Sequence, residues 1–250
     1  MPPLTVSPRF CGPPDSANGG YMCGRVAGYL DGPATVTLRR PPPLGTPMTV
    51  EADADGLVRI SHDGALVAEA VPAADGPAPA VPGTVSLAAA RAAQGRARYF
   101  EDPVFPTCFV CGNQREPGDG LRIFPGPVTG GAVWAAPWTP DASLTDGGRT
   151  VRPEIAWAAL DCPSGIAAAE AAGIEPDTAV LLGRMTATVA VLPEAGDECV
   201  ALGWMIGRDG RKLMAGSALL GPDGDVLAVA DTVWLTVPRQ IPGSAAKEGS

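Results

Sequence analysis

An internal repeat constrains this chain more than any other feature of its sequence. Residues 61–70 (SHDGALVAEA) match residues 221–230 (GPDGDVLAVA), because each segment places Asp-Gly before a short apolar run. Upstream, residues 42–51 match residues 193–202 by sharing a Pro and a Gly, in the same order along the chain. Asp-Gly between apolar runs is typical of a β-hairpin, so the repeat predicts two antiparallel meanders built alike.

A helical stretch precedes each meander, one from near residue 18 and one from near residue 153. The sequence therefore predicts an α+β fold with the same order of elements in both halves. The predicted strands are 34–40, 46–53, 56–61 and 65–71 in the first half, and 183–192, 198–207, 211–220 and 225–237 in the second.

The length of 250 residues allows one large domain or two of about 100–130 residues each. We expect a first half over 1–83, a connecting helix and linker over 84–107, a second half over 108–237, and a disordered tail over 238–250. Residues 72–83 form a connector that is rich in Pro and Ala, which favours an extended chain. Ser86 is expected to cap a short helix after this connector.

Charge and composition exclude several classes of function. The net charge is −9 and Lys and Arg form no blocks, which disfavours nucleic acids and anionic membranes as partners. No run of 18 apolar residues and no signal-like start is present, so we expect a cytoplasmic protein. The chain has a single histidine, His62, so mechanisms that need two imidazoles are excluded. His62 lies beside an Asp-Gly turn. No nucleotide-binding motif is present either, and no cofactor is predicted.

Six cysteines are present, but only Cys108 and Cys111 form a CxxC pair. A structural zinc site needs four ligands, and this pair supplies two. Cys11 or a second subunit could complete such a site, although nothing in the spacing requires it. We interpret the pair as a structural turn and predict no metal site, with a metal or redox role as the alternative.

Two passages of the chain resemble double hotdog proteins of the acyl-CoA thioesterase superfamily. The segment ANGGYMCGRVAGYLDG resembles the N-terminal hotdog of acyl-CoA thioesterase II-like proteins, in which Gly-Gly opens the helix. The segments CFVCGNQREPGDGLRIF and VRPEIAWAALDCPSG resemble small thioesterases. The resemblance implies a tandem (double) hotdog, in which each half has a central helix wrapped by an antiparallel sheet. It also implies an acyl-CoA or another acyl thioester as ligand, and a role in lipid metabolism.

Asp161 is the main candidate for a catalytic group. It is a lone carboxylate after the apolar run IAWAAL, and burial would raise its pKa toward that of a general base. Such a base could activate water against a thioester carbonyl. The alternative is structural: Pro163 follows two residues later, so Asp161 could end one helix and start another.

The start of the first helix is the candidate for the oxyanion donor. Asn18 and Gly20 stand where unpaired backbone N–H groups favour a developing negative oxygen. The resemblance implies that Asp161 of the second half faces Gly20 of the first. The alternative is that Asn18 only caps the helix and that the glycines relieve crowding against the sheet.

The remaining candidates are less sharply defined. The thioesterase II pattern also uses a Thr and a Gln, for which Thr186 (or Thr188) and Trp234 stand in this chain, while Arg152 lies in place of a His-Gly-Gly motif. Arg208, Arg211 and Lys212 surround an Asp-Gly turn and, with Arg152, could hold the phosphates of CoA. The alternative is an ordinary solvated turn.

Two functions follow from these observations. The first is hydrolysis of acyl-CoA or acyl-carrier thioesters at a carboxylate-based site between the halves. The second is non-catalytic binding of acyl-CoA or a fatty-acyl chain by the same fold. A dehydratase is disfavoured because His62 is badly placed. A homodimer is also expected, because exposed sheet edges in such a fold are often covered by self-association.

Overall fold

The computed structural model describes residues 1–74, 80–175 and 177–239. It has three α-helices, namely α1 (Gly19–Ala27), α2 (Leu87–Ala93) and α3 (Pro153–Ala171). None of the helices within these ranges is long and apolar enough to cross a membrane. The predicted disordered tail falls outside the described residues from position 240 onward.

Ten strands form a single sheet in which every neighbouring pair is antiparallel. In the first half they are β1 (Ala34–Leu38), β2 (Thr49–Ala52), β3 (Val58–His62) and β4 (Ala65–Pro72). After them come β5 (Gly126–Pro127), β6 (Val133–Trp138), β7 (Thr178–Val189), β8 (Cys199–Asp209), β9 (Lys212–Leu220) and β10 (Val226–Pro238).

The order of strands across the sheet is β2-β3-β4-β1-β7-β10-β9-β8-β6-β5. The two sets of strands are joined by β1 and β7, which pair from Ala34 opposite Ala187 to Thr37 opposite Arg184. The four strands of the first half therefore lie side by side, with β1 as the innermost strand. The strands of the second half begin next to it at β7, so the sheet is continuous.

The Asp-Gly turns form hairpins as predicted. At the β3–β4 turn, Asp63 and Gly64 both have positive φ, of 48° and 74°, which is the geometry of a two-residue turn that matches strand twist. Gly224 of the β9–β10 turn also has a positive φ, of 81°. His62 is the last residue of β3, so its predicted place at a hairpin end is confirmed.

Strand β7 departs most from its predicted bounds, since it begins at Thr178 and not at residue 183. The additional residues, 178–182, pair with the end of β10, from Trp234 to Pro238. A register shift between Val233 and Trp234 accompanies this longer pairing, and Gly183 lies at that level of β7. Gly183 thus marks an irregularity within one long strand.

Helix α3 lies directly on the sheet and is buried along most of its length. A Cβ atom at Gly203 of β8 would lie 2.0 Å from the carbonyl oxygen of Pro163, so only glycine allows this close approach. Helix α1 packs across α3 in the same way, because a Cβ atom at Gly24 would lie 2.6 Å from the Cα of Glu154. Glycines thus set how near the two helices and the sheet can come to one another.

Candidate active site

A cavity of 360 Å³ opens beside the crossing of α1 and α3. Its wall includes the start of α1, one side of α3, the first part of β7 and the segment that precedes Cys111. Much of the lining is apolar, with Phe105, Ile166 and Leu182 among its members. Asn18 and Asp161 are polar, and further charged residues also line the cavity, namely Arg98, Glu101, Asp102, Glu170, Glu175 and Arg239. An apolar cavity with a few convergent polar groups is the usual form of a small-molecule site.

Asp161 lies inside a continuous helix and is 2% exposed. Helix α3 runs on through Pro163 to Ala171, so the alternative in which Asp161 ends one helix and starts another is wrong. A proline lacks the N–H that would bond the preceding turn. Near this point the Ser164 hydroxyl donates a hydrogen bond of 2.7 Å to the carbonyl oxygen of Asp161, which supports the helix there.

The carboxylate of Asp161 has one hydrogen-bonding side chain next to it. Asn18 Nδ2 donates to Oδ2 at 2.6 Å, while Oδ1 has no partner among the residues that the structure describes. Burial raises the pKa of Asp161 to about 7, which the backbone N–H of Gly20 and the Asn18 amide oppose and the nearby Cys108 reinforces. The carboxyl group is therefore about half ionised near neutral pH, as suits a general base.

Asn18 caps α1, as the sequence suggested, and also contacts Asp161, which the sequence did not suggest. Its Oδ1 accepts the backbone N–H of Tyr21 at 2.9 Å and so caps α1, while its Nδ2 donates to Asp161. The amide is therefore held at both ends, and the start of α1 is tied to the carboxylate on α3. Asn18 is 2% exposed, which strengthens both bonds relative to water.

Gly20 lies against Asp161, on the side of α1 that faces α3. A Cβ atom at Gly20 would lie 2.5 Å from Asp161 Cβ and 2.7 Å from the carbonyl oxygen of Trp157. The crowding that glycine relieves here is therefore with α3. Gly19 is the residue that faces the sheet, because a Cβ atom at Gly19 would lie 2.9 Å from Leu182 Cβ. Gly19 also lines the cavity.

Thr186 is not brought to Asp161. Its hydroxyl lies 2.9 Å from that of Thr35, across the junction of β1 and β7. The neighbouring side chains of Met185 and Ala187 point into the core, so Thr186 and Thr188 share the opposite face of β7. The described wall of the cavity includes neither threonine.

Trp234 does line the cavity, but its polar atom is already engaged. Nε1 donates to Ser164 Oγ at 3.0 Å and to Thr232 Oγ1 at 3.1 Å. The indole lies over Gly165, where a Cβ atom would be 2.7 Å from the ring. Trp234 thus contributes an apolar surface and a link between β10 and α3.

The basic residues proposed for phosphate binding lie away from the cavity. Arg208 donates to the carbonyl oxygen of Gly210 at 3.0 Å within the β8–β9 turn, which also holds Arg211 and Lys212. The guanidinium of Arg152 lies 5.5 Å from the centre of the Phe10 ring. The described cavity wall contains none of these four basic side chains.

Two other arginines, which the sequence reasoning missed, line the cavity instead. Arg239 forms an ion pair with Asp102 at 2.6 Å, and Arg98 lies 4.0 Å from Glu170 with its side chain 58% exposed. The only sequence signal for Arg98 was its position beside two aromatic residues in the connecting segment.

A third cysteine joins the CxxC pair at the cavity wall. The sulfur atoms of Cys108, Cys111 and Cys162 all lie within 4.8 Å of one another, and all three residues are buried. Hydrogen bonds from the Cys111 and Cys162 thiols hold the pKa of Cys108 well below its usual range, against the effect of burial. Cys11, which the sequence offered as a partner, bonds to the Thr107 carbonyl and is separate from the cluster.

Comparison with solved structures identifies the fold. The chain is similar to a proposed thioesterase from Novosphingobium aromaticivorans (14% identity, 93% of this chain and 94% of that one, TM-score 0.60). It is also similar to a hot dog fold protein of unknown function from Alicyclobacillus acidocaldarius (12%, 89% and 88%, 0.58). A third similar structure is the acyl-CoA thioesterase II TesB2 from Mycobacterium marinum (14%, 88% and 90%, 0.54).

These similarities extend over most of the chain and show that it has the hotdog fold, of the α+β class. No family model matches the sequence, and no curated protein matches it significantly. At these identities the shared fold alone does not define an activity, so the function has to be argued from the residues of the site.

Proposed function

We propose that this protein is a tandem hotdog enzyme that hydrolyses acyl thioesters, with acyl-CoA as the substrate class, at the cavity beside Asp161. The observation that carries this proposal is a buried carboxylate on the wall of an apolar cavity, positioned by an amide from the other half of the chain. Thioesters are already activated acyl groups, so one base and one oxyanion site suffice for their hydrolysis.

In the proposed reaction, Asp161 takes a proton from a water molecule as the water oxygen attacks the thioester carbonyl. A C–O bond forms, the C–S bond breaks, and the proton passes to the leaving thiolate to give a free acid and a thiol. Asn18 holds the carboxylate, which it contacts at 2.6 Å. The first-turn N–H groups of α1 are the proposed oxyanion donors, since a helix start favours negative charge. Gly19 lines the cavity and is the foremost of these donors, because the N–H of Gly20 interacts with Asp161.

The shape and charge of the cavity suggest how the substrate would lie. The apolar part, formed by Phe105, Ile166 and Trp234, suits an acyl chain. Arg98 is largely exposed at the cavity and is the arginine that we propose for contact with the phosphates of CoA.

Release of free thiol from short, medium and long acyl-CoAs tests the proposal. We expect Asp161→Asn to lower turnover by about 100-fold or more, because removing a general base costs about 10²–10⁴-fold. Asp231→Asn is the matched control, since Asp231 is exposed on β10 and outside the described cavity wall. Equal activity of wild type and Asp161→Asn would refute the role of this carboxylate.

The alternative function, non-catalytic binding of an acyl-CoA or a fatty-acyl chain, is favoured by one observation. Neither Thr186 nor Trp234 offers a free polar group to Asp161, so the carboxylate has Asn18 as its only described side-chain partner. An acyl-CoA that raises the melting temperature without being hydrolysed would favour this alternative. The predicted homodimer remains a prediction, with β2 and β5 as the sheet edges available to it.

A further inference from the structure

Three cysteine sulfurs meet at one point on the cavity wall. Cys108 Sγ and Cys162 Sγ are 3.7 Å apart, and Cys111 Sγ lies within 4.8 Å of both. Sulfur atoms that share a tetrahedral ion at about 2.3 Å are separated by about 3.8 Å. The cluster therefore already has nearly the spacing of a metal site, and closing it requires only a small movement of Cys111.

The backbone around the CxxC pair forms a tight turn, and both thiols lie on the same side of it. The N–H of Gly112 donates to the carbonyl oxygen of Cys108 at 2.8 Å. A Cβ atom at Gly112 would lie 2.4 Å from that oxygen, so the turn requires glycine. Cys162 comes to the same point from α3, a different element. Two ligands from one turn and one from a helix is a common way to build a thiolate site.

Hydrogen-bond donors surround the sulfurs. Asn18 Nδ2 donates to Cys108 Sγ at 3.8 Å. Tyr99 Oη lies 3.8 Å from Cys111 Sγ. In this contact the Cys111 thiol donates to Tyr99 Oη, and once that thiol is deprotonated the hydroxyl would donate to the thiolate instead. Donors of this kind stabilise the negative charge of thiolate ligands. Neutral thiols would not need this stabilisation.

We propose that Cys108, Cys111 and Cys162 bind one thiophilic divalent metal ion, with Zn²⁺ as the ion that fits three thiolate ligands. The cluster adjoins the proposed catalytic site, because Asn18 contacts both Cys108 and Asp161, but neither proposal rests on the other. All three cysteines line the cavity, which gives an ion a route of entry. The described residues supply three ligands, so water or a molecule in the cavity would take the fourth position.

The test uses the purified, reduced, full-length protein and titrates it with Co²⁺ and with Zn²⁺. We expect one ion per chain, a thiolate-to-cobalt charge-transfer absorption that Zn²⁺ displaces, and a higher melting temperature in the presence of either ion. These readouts do not depend on activity, so they remain informative if no thioester is hydrolysed.

A matched pair of variants localises the ion. Cys162→Ala should weaken metal binding by about 100-fold or more, since even the loss of an outer-shell partner costs about 10–100-fold. Cys23→Ala is the control, because Cys23 is also a buried helical cysteine but lies outside the cluster. If Cys162→Ala does not fold, the wild-type titration decides by itself.

Three results would overturn the proposal. The first is a wild-type protein that shows no charge-transfer band and no thermal shift with either ion. The second is metal binding that Cys162→Ala and Cys23→Ala retain equally. The third is a disulfide in the native protein that peptide mass spectrometry maps to two of these three cysteines.

Discussion

Helices α1 and α3 cross at the candidate site, yet they contribute to it in opposite ways. Helix α1 has nine residues and contributes its start, through the cap Asn18 and the first backbone amides. Helix α3 has 19 residues, and each residue from Ile155 to Ala168 is buried. It contributes a carboxylate from its middle, where Asp161 is almost fully buried at the cavity wall.

The difference shows how a carboxylate can be kept inside an apolar helix. An ionised group that is buried without a partner costs several kcal/mol, so Asp161 needs a hydrogen-bond donor. That donor comes from a different helix. Asn18 of α1 supplies the donor to Asp161, and Ser164 supports the backbone one turn later. Changes at the helix crossing, at the start of α1 and on the sheet side of α3 should therefore have separable effects.

The crossing itself should be the most sensitive point. Gly20→Ala would place a methyl group 2.5 Å from Asp161 Cβ and 2.7 Å from the Trp157 carbonyl, so α1 and α3 must separate. We expect the free energy of unfolding to fall by about 3 kcal/mol, the upper part of the usual range for overpacking. Urea unfolding measures this loss, and Gly148→Ala is the control because no atom lies within 4 Å of its Cβ position. Equal stability of the two variants would contradict the close crossing.

The cap of α1 should have the next largest effect. Asn18→Ala removes both the cap on Tyr21 and the donor to Asp161, so we expect a loss of about 1–2 kcal/mol in unfolding free energy together with a loss of thioester turnover. Ser86→Ala provides the comparison, because Ser86 Oγ caps α2 through Ala89 at 3.2 Å on an exposed helix. Both variants should be destabilised, but a fall in turnover with Ser86→Ala would show that stability alone explains the effect.

The sheet side of α3 should be the least sensitive of the three. Ser164→Ala removes the hydroxyl that bonds to the Asp161 carbonyl and to Trp234, but the indole keeps its bond to Thr232. We expect a loss of about 1 kcal/mol in the free energy of unfolding, measured by urea titration. Ser217→Ala is the control, since that buried hydroxyl has no partner within the described ranges. A control variant as unstable as Ser164→Ala would mean that lost volume, and not lost hydrogen bonds, sets the cost.

Local signals in the sequence predicted much of the fold. The Asp-Gly turns predicted the hairpins at residues 63–64 and 223–224, and Asn18 and Ser86 predicted the starts of α1 and α2. These signals work because a positive φ or an unpaired N–H is decided within a few residues. They also identified Asp161 as a lone carboxylate in an apolar helix.

The contacts between distant elements could not be predicted in this way. Cys162 joins the CxxC pair only because α3 passes the turn at Cys108, and no local pattern contains that distance. Thr186 was chosen by likeness of sequence, but the alternation of side chains along β7 turns it to the opposite face from Met185. The positions of Arg98 and Arg239 at the cavity likewise depend on how distant segments of the chain pack together.

The junction of β1 and β7 has a consequence for how the chain can be divided. Since the sheet runs through both halves and Asn18 bonds to Asp161 across them, neither half carries a complete cavity. A fragment that ends before the connector would expose the edge of β1 and leave α1 without the helix it packs on. The two halves should accordingly unfold in one cooperative transition, and separately made fragments would have to associate before either acquired a ligand site.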